Sequence, residues 1–202
     1  MHALFIIILL AAQAADAAPQ DAERFTHFAG LNLAELPTFE EVAKRFGPAP
    51  IVQTGDAASF DARVCYRTAD EKAVIEFFHG EVDWGFVFRL ATRADKVCPK
   101  AADIRISQLD VAGVKLQMGK QPFKAITGLP HKETTTRIET EFQYQHVLTD
   151  AELGAEVERG IKNGYPPSNA EEWRNWDVII SLTALFAHGR LYSFTVDRVE
   201  TN

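Results

Sequence analysis

Apolar and polar positions alternate most regularly in "TRIETEFQYQHV", residues 136–147: Ile138, Thr140, Phe142, Tyr144 and His146 occupy one set and Glu139, Glu141, Gln143 and Gln145 the other. A period of two predicts a strand with one buried and one wet face. "DVIISLTALFA", the turn "HGR" and "LYSFTVDRV" read as a following hairpin, in which Tyr192, Phe194 and Val196 alternate with Ser193, Thr195 and Asp197. The first half of the chain carries the same kind of signal: "ARVCYRT" is a strand, and "AVIEFF", "HGEVDWG" and "FVFRLA" form strand, turn and strand. "DIRISQLDV" is a further strand candidate.

Two short helical patterns precede these strands. Thr38 and Glu41 have the spacing of a capping box, and Phe39, Val42 and Phe46 fall on one helical face before Gly47-Pro48. The box satisfies free amide groups at the start, a left-handed glycine closes the helix, and proline forbids its continuation. The stretch "GVKLQMGKQPFKAITGLPHK" repeats the plan with Phe123, Ile126 and Gly128, in correspondence with "GLNLAELPTFEEVAKRFGPAP" at residues 30–50. The predicted fold is α+β: two tandem repeats, each a short helical segment packed on an antiparallel sheet of three to four strands. Residues 18–112 form the first repeat and 113–202 the second, with a helical insertion near 149–176. In the insertion, Thr149 with Glu152 opens a helix whose Leu153, Val157 and Ile161 share a face, and Asn163-Gly164 closes it. Ser168 with Glu171 opens a second turn holding Trp173 and Trp176 three residues apart. This tryptophan pair reads first as core packing, with an interface anchor as the functional alternative.

Composition adds compartment and partner class. The N-terminus "MHALFIIILLAAQAADAAPQ" has an apolar run over residues 3–12 followed by Ala12-Gln13-Ala14 and Ala15-Asp16-Ala17. It is expected to be a secretory signal occupying residues 1–17 and too short to span a bilayer. No cysteine follows the run, so no lipid acceptor and no stable membrane anchor are expected, and the product is expected to be periplasmic or secreted. The cysteines, Cys65 and Cys98, lie beyond the signal, where an oxidising compartment favours a disulfide. A net charge of −7 with Lys and Arg scattered leaves no basic stripe for nucleic acid.

The order of capped helix, Gly-x-Pro stop and antiparallel strands, used twice in an exported chain with a cysteine pair, resembles the tandem-repeat fold of the secreted β-lactamase inhibitory proteins. It is also similar to single-copy envelope assembly lipoproteins of the SmpA/OmlA (BamE) type. The resemblance rests on "FEEVAKRFGPAP", "GLPHK" and the hairpins. It implies a protein partner, met in the inhibitors by a first-repeat hairpin; "HGEVDWG", with Asp83 and Trp84, occupies a comparable place. The inhibitors carry a disulfide in each repeat, whereas cysteines occur here in the first repeat alone.

Candidate chemistry is sparse. His27, His79, His131, His146 and His188 are dispersed, without the spacing of a metal site. His79 with Glu81 reads as two solvated side chains in a glycine turn, and His188 stands in the matching turn. No nucleophile elbow, phosphate-binding loop or dinucleotide fingerprint occurs, and no pair among Glu40, Glu41, Glu139 and Glu141 is singled out as catalytic. The expected function is a non-enzymatic protein-binding or envelope scaffold protein, without cofactor or metal, whose partner is another envelope or secreted protein. Its candidate binding residues are Asp83, Trp84, Tyr144, Trp173 and Trp176. An inhibitor of a secreted hydrolase is the alternative, and a small hydrolase or metal-binding enzyme using His79 and His188 is the second.

Overall fold

The computed structural model describes residues 19–201 apart from 57–58, 80–84, 93–96, 102, 129–131, 163 and 165. The expected signal, residues 1–17, lies outside these. In chain order the elements are α1 (Pro19–Glu23), β1 (His27–Phe28), β2 (Leu31–Asn32), α2 (Phe39–Phe46), β3 (Val52–Asp56), β4 (Ser59–Arg67), β5 (Val74–His79), β6 (Gly85–Ala91), β7 (Asp110–Val111), β8 (Val114–Lys115), α3 (Lys120–Thr127), β9 (Lys132–Glu133), β10 (Arg137–Val147), α4 (Asp150–Lys162), β11 (Asn175–Ala187) and β12 (Arg190–Thr201). Three 3-10 turns, at Leu33–Glu35, Ile106–Gln108 and Ala170–Trp173, complete the set.

The fold is α+β, with few helices and one large antiparallel sheet of eight strands in the order β3-β4-β5-β6-β12-β11-β10-β9. The strands are continuous across the middle, where β6 pairs β12 from Gly85↔Val199 to Ala91↔Ser193. The two-residue hairpins β1–β2 and β7–β8 stand apart from this sheet. Each turns through an alanine and a glycine at positive φ: Ala29 and Gly30 at 51° and 88°, Ala112 and Gly113 at 50° and 89°. "DIRISQLDV" is not one strand: Ile106–Gln108 is a 3-10 turn, leaving Asp110–Val111 to pair with β8.

Alternation places one face of the sheet against the helices. Val64 and Tyr66 on β4, Ile75 and Phe77 on β5, Phe86 and Phe88 on β6, Phe194 and Val196 on β12, and Ile180 and Leu182 on β11 are all buried in one cluster with Phe28, Val42, Phe46 and Phe123. Rings run through that cluster without a break. Tyr66 meets Phe46 at 5.2 Å between centroids, Phe46 meets Phe77 at 5.3 Å, and Phe77 meets Phe28 at 6.4 Å. Phe28 stacks on Phe88 at 5.1 Å, Phe88 meets Phe194 at 6.5 Å, and Phe123 lies 5.9 Å from both Phe194 and Phe186. Such pairs add about 0.5–1.5 kcal/mol each beyond the area they bury.

Local signals explain the helices. Thr38 Oγ1 accepts from the Glu41 amide at 3.2 Å while the Thr38 amide donates to Glu41 Oε2 at 2.8 Å, closing the capping box of α2. These bonds hold the exposed Glu41 carboxyl below the ordinary glutamate range. Gly128 ends α3 in the left-handed conformation, whereas Gly47 ends α2 at φ 98° and ψ 169°, outside it. Thr149 and Glu152 cap α4 reciprocally. Leu153 is buried on that helix, packed with Leu148 and Trp176, but Ile161 is 59% exposed. At the next turn Asn169, not Ser168, caps by accepting from the Glu171 amide; Ser168 donates instead to Glu172.

Tyr192 departs from its expected side. The register of β11 with β12 shifts between Leu185 and Phe186, and Tyr192 is the unmatched residue, 39% exposed, while Ser193 and Phe194 are both buried. An extra residue in one strand changes the phase of alternation beyond it. His188 and Gly189 form the two-residue turn, both at positive φ (50° and 73°), as a tight hairpin with right-handed strand twist requires.

Cys65 and Cys98 form a disulfide, with Cα atoms 5.3 Å apart. A parallel bridge between Arg67 and Lys100, flanked by bonds from the Arg67 amide to Pro99 and from the Ala101 amide to Arg67, brings the two cysteines into register two residues earlier. The bond closes a loop of sequence separation 33. Chain entropy alone assigns such a closure about 3–4 kcal/mol. Reduction is therefore expected to lower Tm by roughly 10 °C, read by thermal unfolding with and without a phosphine reductant; an unchanged Tm would contradict it.

Candidate binding surface and groove

The face of the sheet opposite the aromatic rings is built from the other set of alternating residues. One row runs straight across six strands, because each neighbour pair is in register: Arg63 with Phe78, Phe78 with Val87, Val87 with Asp197, Asp197 with Ser181, and Ser181 with Glu141. Phe78, Val87, Asp197 and Ser181 are partly exposed and Glu141 is exposed. The row is basic at one end, apolar in the middle of that half, and acidic at the other.

The next row holds a charge cluster. Glu76 is buried between two arginines, with Arg89 Nε donating to Oε2 at 2.7 Å and Arg63 Nη1 to Oε1 at 3.4 Å. The Arg89 guanidinium also lies over the Phe78 ring, 5.4 Å from its centroid. Farther along, Glu139 pairs with Arg137. Asp197 sits between these groups without a hydrogen-bond or ion-pair partner among the described residues. Its burial by the neighbouring strands pushes the carboxyl above the ordinary aspartate range.

A second feature lies at the end of the covered face, where α1, the β1–β2 hairpin and the start of α4 leave a groove of about 670 Å³ lined by Glu23, His27, Tyr144, His146, Arg198 and Glu200 among others. Arg198 is its electrostatic centre. Its side chain is 3% exposed, and Nη2 reaches Glu200 at 2.7 Å and Glu23 at 3.6 Å. Its Nε and Nη1 are buried without a hydrogen-bond partner. Buried guanidinium groups are held by opposite charge because desolvation alone is costly. Glu23 belongs to α1, so this ion pair fastens the N-terminal helix to β12. On the far wall His146 stands 3.8 Å from Glu152, whose carboxyl is held low by the Thr149 amide, then by the Thr149 hydroxyl and His146.

Among the described residues, the sequence-derived binding candidates do not form one exposed surface. Asp83 and Trp84 lie outside the described residues. Tyr144 is partly buried, packed on the main core and lining the groove. Trp176 is 2% exposed and corrects the anchor reading: it packs with Leu148 and Leu153 in a small satellite core, with Val157 and Trp173 against it. Its indole N–H donates to the Trp173 carbonyl at 2.7 Å, so the pair is tied inward. His188 occupies an exposed turn, and the His79 side chain is outside the described residues. Among the described residues no group of three or more His, Cys, Asp or Glu is arranged to hold a metal.

Asp197, Arg198 and the Arg63–Glu76–Arg89 cluster were not among those candidates. In "FTVDRVE" the alternation puts Asp197 and Arg198 on opposite faces and Glu200 on the same face as Arg198, but Glu23, Val87 and Ser181 come near only through the tertiary arrangement. No family model, curated protein or solved structure matches the chain.

Two stability effects follow. Arg198→Ala leaves Glu23 and Glu200 without their cation and is expected to cost about 3 kcal/mol or more, measured by denaturant unfolding; a change within error would show that the network carries no stability. For Asp197 the sign runs the other way from a paired carboxylate. Its folded-state pKa is raised, so its contribution is fully present below the unfolded value of about 4 and is lost as pH rises through the folded value. Asp197→Asn is expected to raise Tm at pH 7 and to make no difference below about pH 4; a lowered Tm at pH 7 would reverse the assignment.

Proposed function

We propose that this is a non-enzymatic protein of the periplasm or cell exterior that binds another protein through the open face of its sheet. The observation that carries the reading is that row of partly exposed residues from Arg63 to Glu141, with Phe78 and Val87 between the charges. Apolar residues surrounded by charges that set orientation are the composition of a specific protein interface. The face carries two open depressions of about 360 and 320 Å³, beside Glu141 and beside Glu76, and its mixed apolar and charged row is of the kind a protein partner covers. The disulfide is compatible with an oxidising compartment, and among the described residues no helix is long and apolar enough to cross a membrane.

The same reading includes descent from a duplicated module. Both halves run through a two-residue hairpin turning at Ala-Gly, a helix of eight residues and then antiparallel strands. The strand order, β3-β4-β5-β6 on one side and β12-β11-β10-β9 on the other, supports a pseudo-two-fold relation about the central pairing. A surface made this way is extended and shared between the halves.

The test is site-specific photocrosslinking in cells. A crosslinker at Thr195, on the open face, should give a discrete adduct, and one at Lys44, on the outer side of α2, should not. Equal yields from the two positions, or none from Thr195, would remove the open face as the binding surface.

A further inference from the structure

The open face has a property that a surface for an arbitrary partner does not need. Its row of six positions, Arg63–Phe78–Val87–Asp197–Ser181–Glu141, is centred on the pairing of β6 with β12. A two-fold rotation about an axis along the strands at that centre exchanges the two ends while keeping each residue at its own height on the strand.

We propose that the occupant of the open face is a second copy of this chain, packed sheet to sheet about that axis. The proposal rests on the reading of the open face as a protein-binding surface and names its partner. Under the rotation Arg63 of each copy lies over Glu141 of the other, so two cross-copy ion pairs form at the ends of one row. Val87 and Phe78 are covered by the second copy's β12 and β11. Asp197 of each copy lies over Val87 of the other, with that copy's Arg89, bonded to its own Glu76, two residues farther along β6. Arg67 and Arg137 fall over each other, and each brings its own acid, Glu71 at 3.6 Å and Glu139 respectively.

The alternative arrangement, an axis across the strands, would set β4 over β4 and β10 over β10. Arginine would then meet arginine and glutamate meet glutamate. Along this row only the axis along the strands sets opposite charges over each other, and it keeps the strands of the two sheets aligned. At about 4.8 Å per strand and about 20 Å of shared strand length, six strands present roughly 600 Å² per copy. Standard interfaces bury about 600–1,000 Å² per partner, so the available area is at the low end of that range.

Sedimentation across a dilution series tests the proposal on the mature chain. The wild type is expected to pass from monomer to dimer, Arg63→Glu and Glu141→Arg are each expected to weaken association about tenfold or more, and the double variant is expected to regain it. Thr195→Arg, which adds a charge on the axis beside its strand partner Arg89, should also dissociate the dimer, and Tm of each variant shows that it is folded. A wild type that stays monomeric throughout, or folded single variants whose association is unchanged, would overturn the proposal. The adduct at Thr195 then separates the two readings by mass. Twice the chain mass supports the second copy, another mass overturns it while leaving a protein-binding face, and no adduct removes both.

Discussion

The run of aromatic rings from Tyr66 to Phe186 is the interaction on which the rest of the architecture depends. It crosses the sheet from β4 to β11 and takes Phe28, Phe46 and Phe123 from outside the sheet. The rings therefore bind strands from both halves of the chain to the short hairpins and helices that cover them. A slip of one residue in any of these strands would turn its aromatics to the other side. Register is thus set by the buried face, and the open face inherits whatever rows that register creates.

This inheritance explains why charges line up across the open face. Glu76 reaches both Arg63 and Arg89 because β5 lies between β4 and β6 with Phe77 fixed inward beside it. The same constraint leaves Asp197 on the open side and turns its neighbour Arg198 inward, where Glu23 and Glu200 hold it. Two adjacent, oppositely charged residues therefore serve different ends: one lies on a surface and the other fastens α1.

Much of the fold could be read before any coordinates. The strands β4, β5, β6, β10, β11 and β12 show period-two alternation or a continuous apolar run, and the Thr38–Glu41 and Thr149–Glu152 boxes open helices as their spacing predicts. The expected separation into two sheets met a single one, since strand patterns say nothing about which edges pair; β6 and β12 are joined by backbone bonds. Very short strands such as β1, β2, β7 and β8 carry no period, and "DIRISQLDV" imitates one without forming it. The Tyr192 bulge likewise leaves no trace in composition. For the candidate site less was legible: the buried Trp176 fits the first reading of the tryptophan pair as core packing rather than its use as an anchor, and the charged row exists only through pairings distant in sequence.

The joint between β6 and β12 also bears on how the chain reaches this state. Ala91 and Ser193, partners there, are about a hundred positions apart. Contacts of such long range form late and slow folding, since the intervening chain must be closed first. Until they form, the β5–β6 and β11–β12 hairpins each present an unpaired edge that another nascent molecule can capture. The disulfide does not relieve this, for it closes only the first half, leaving the last strand to find its place unaided.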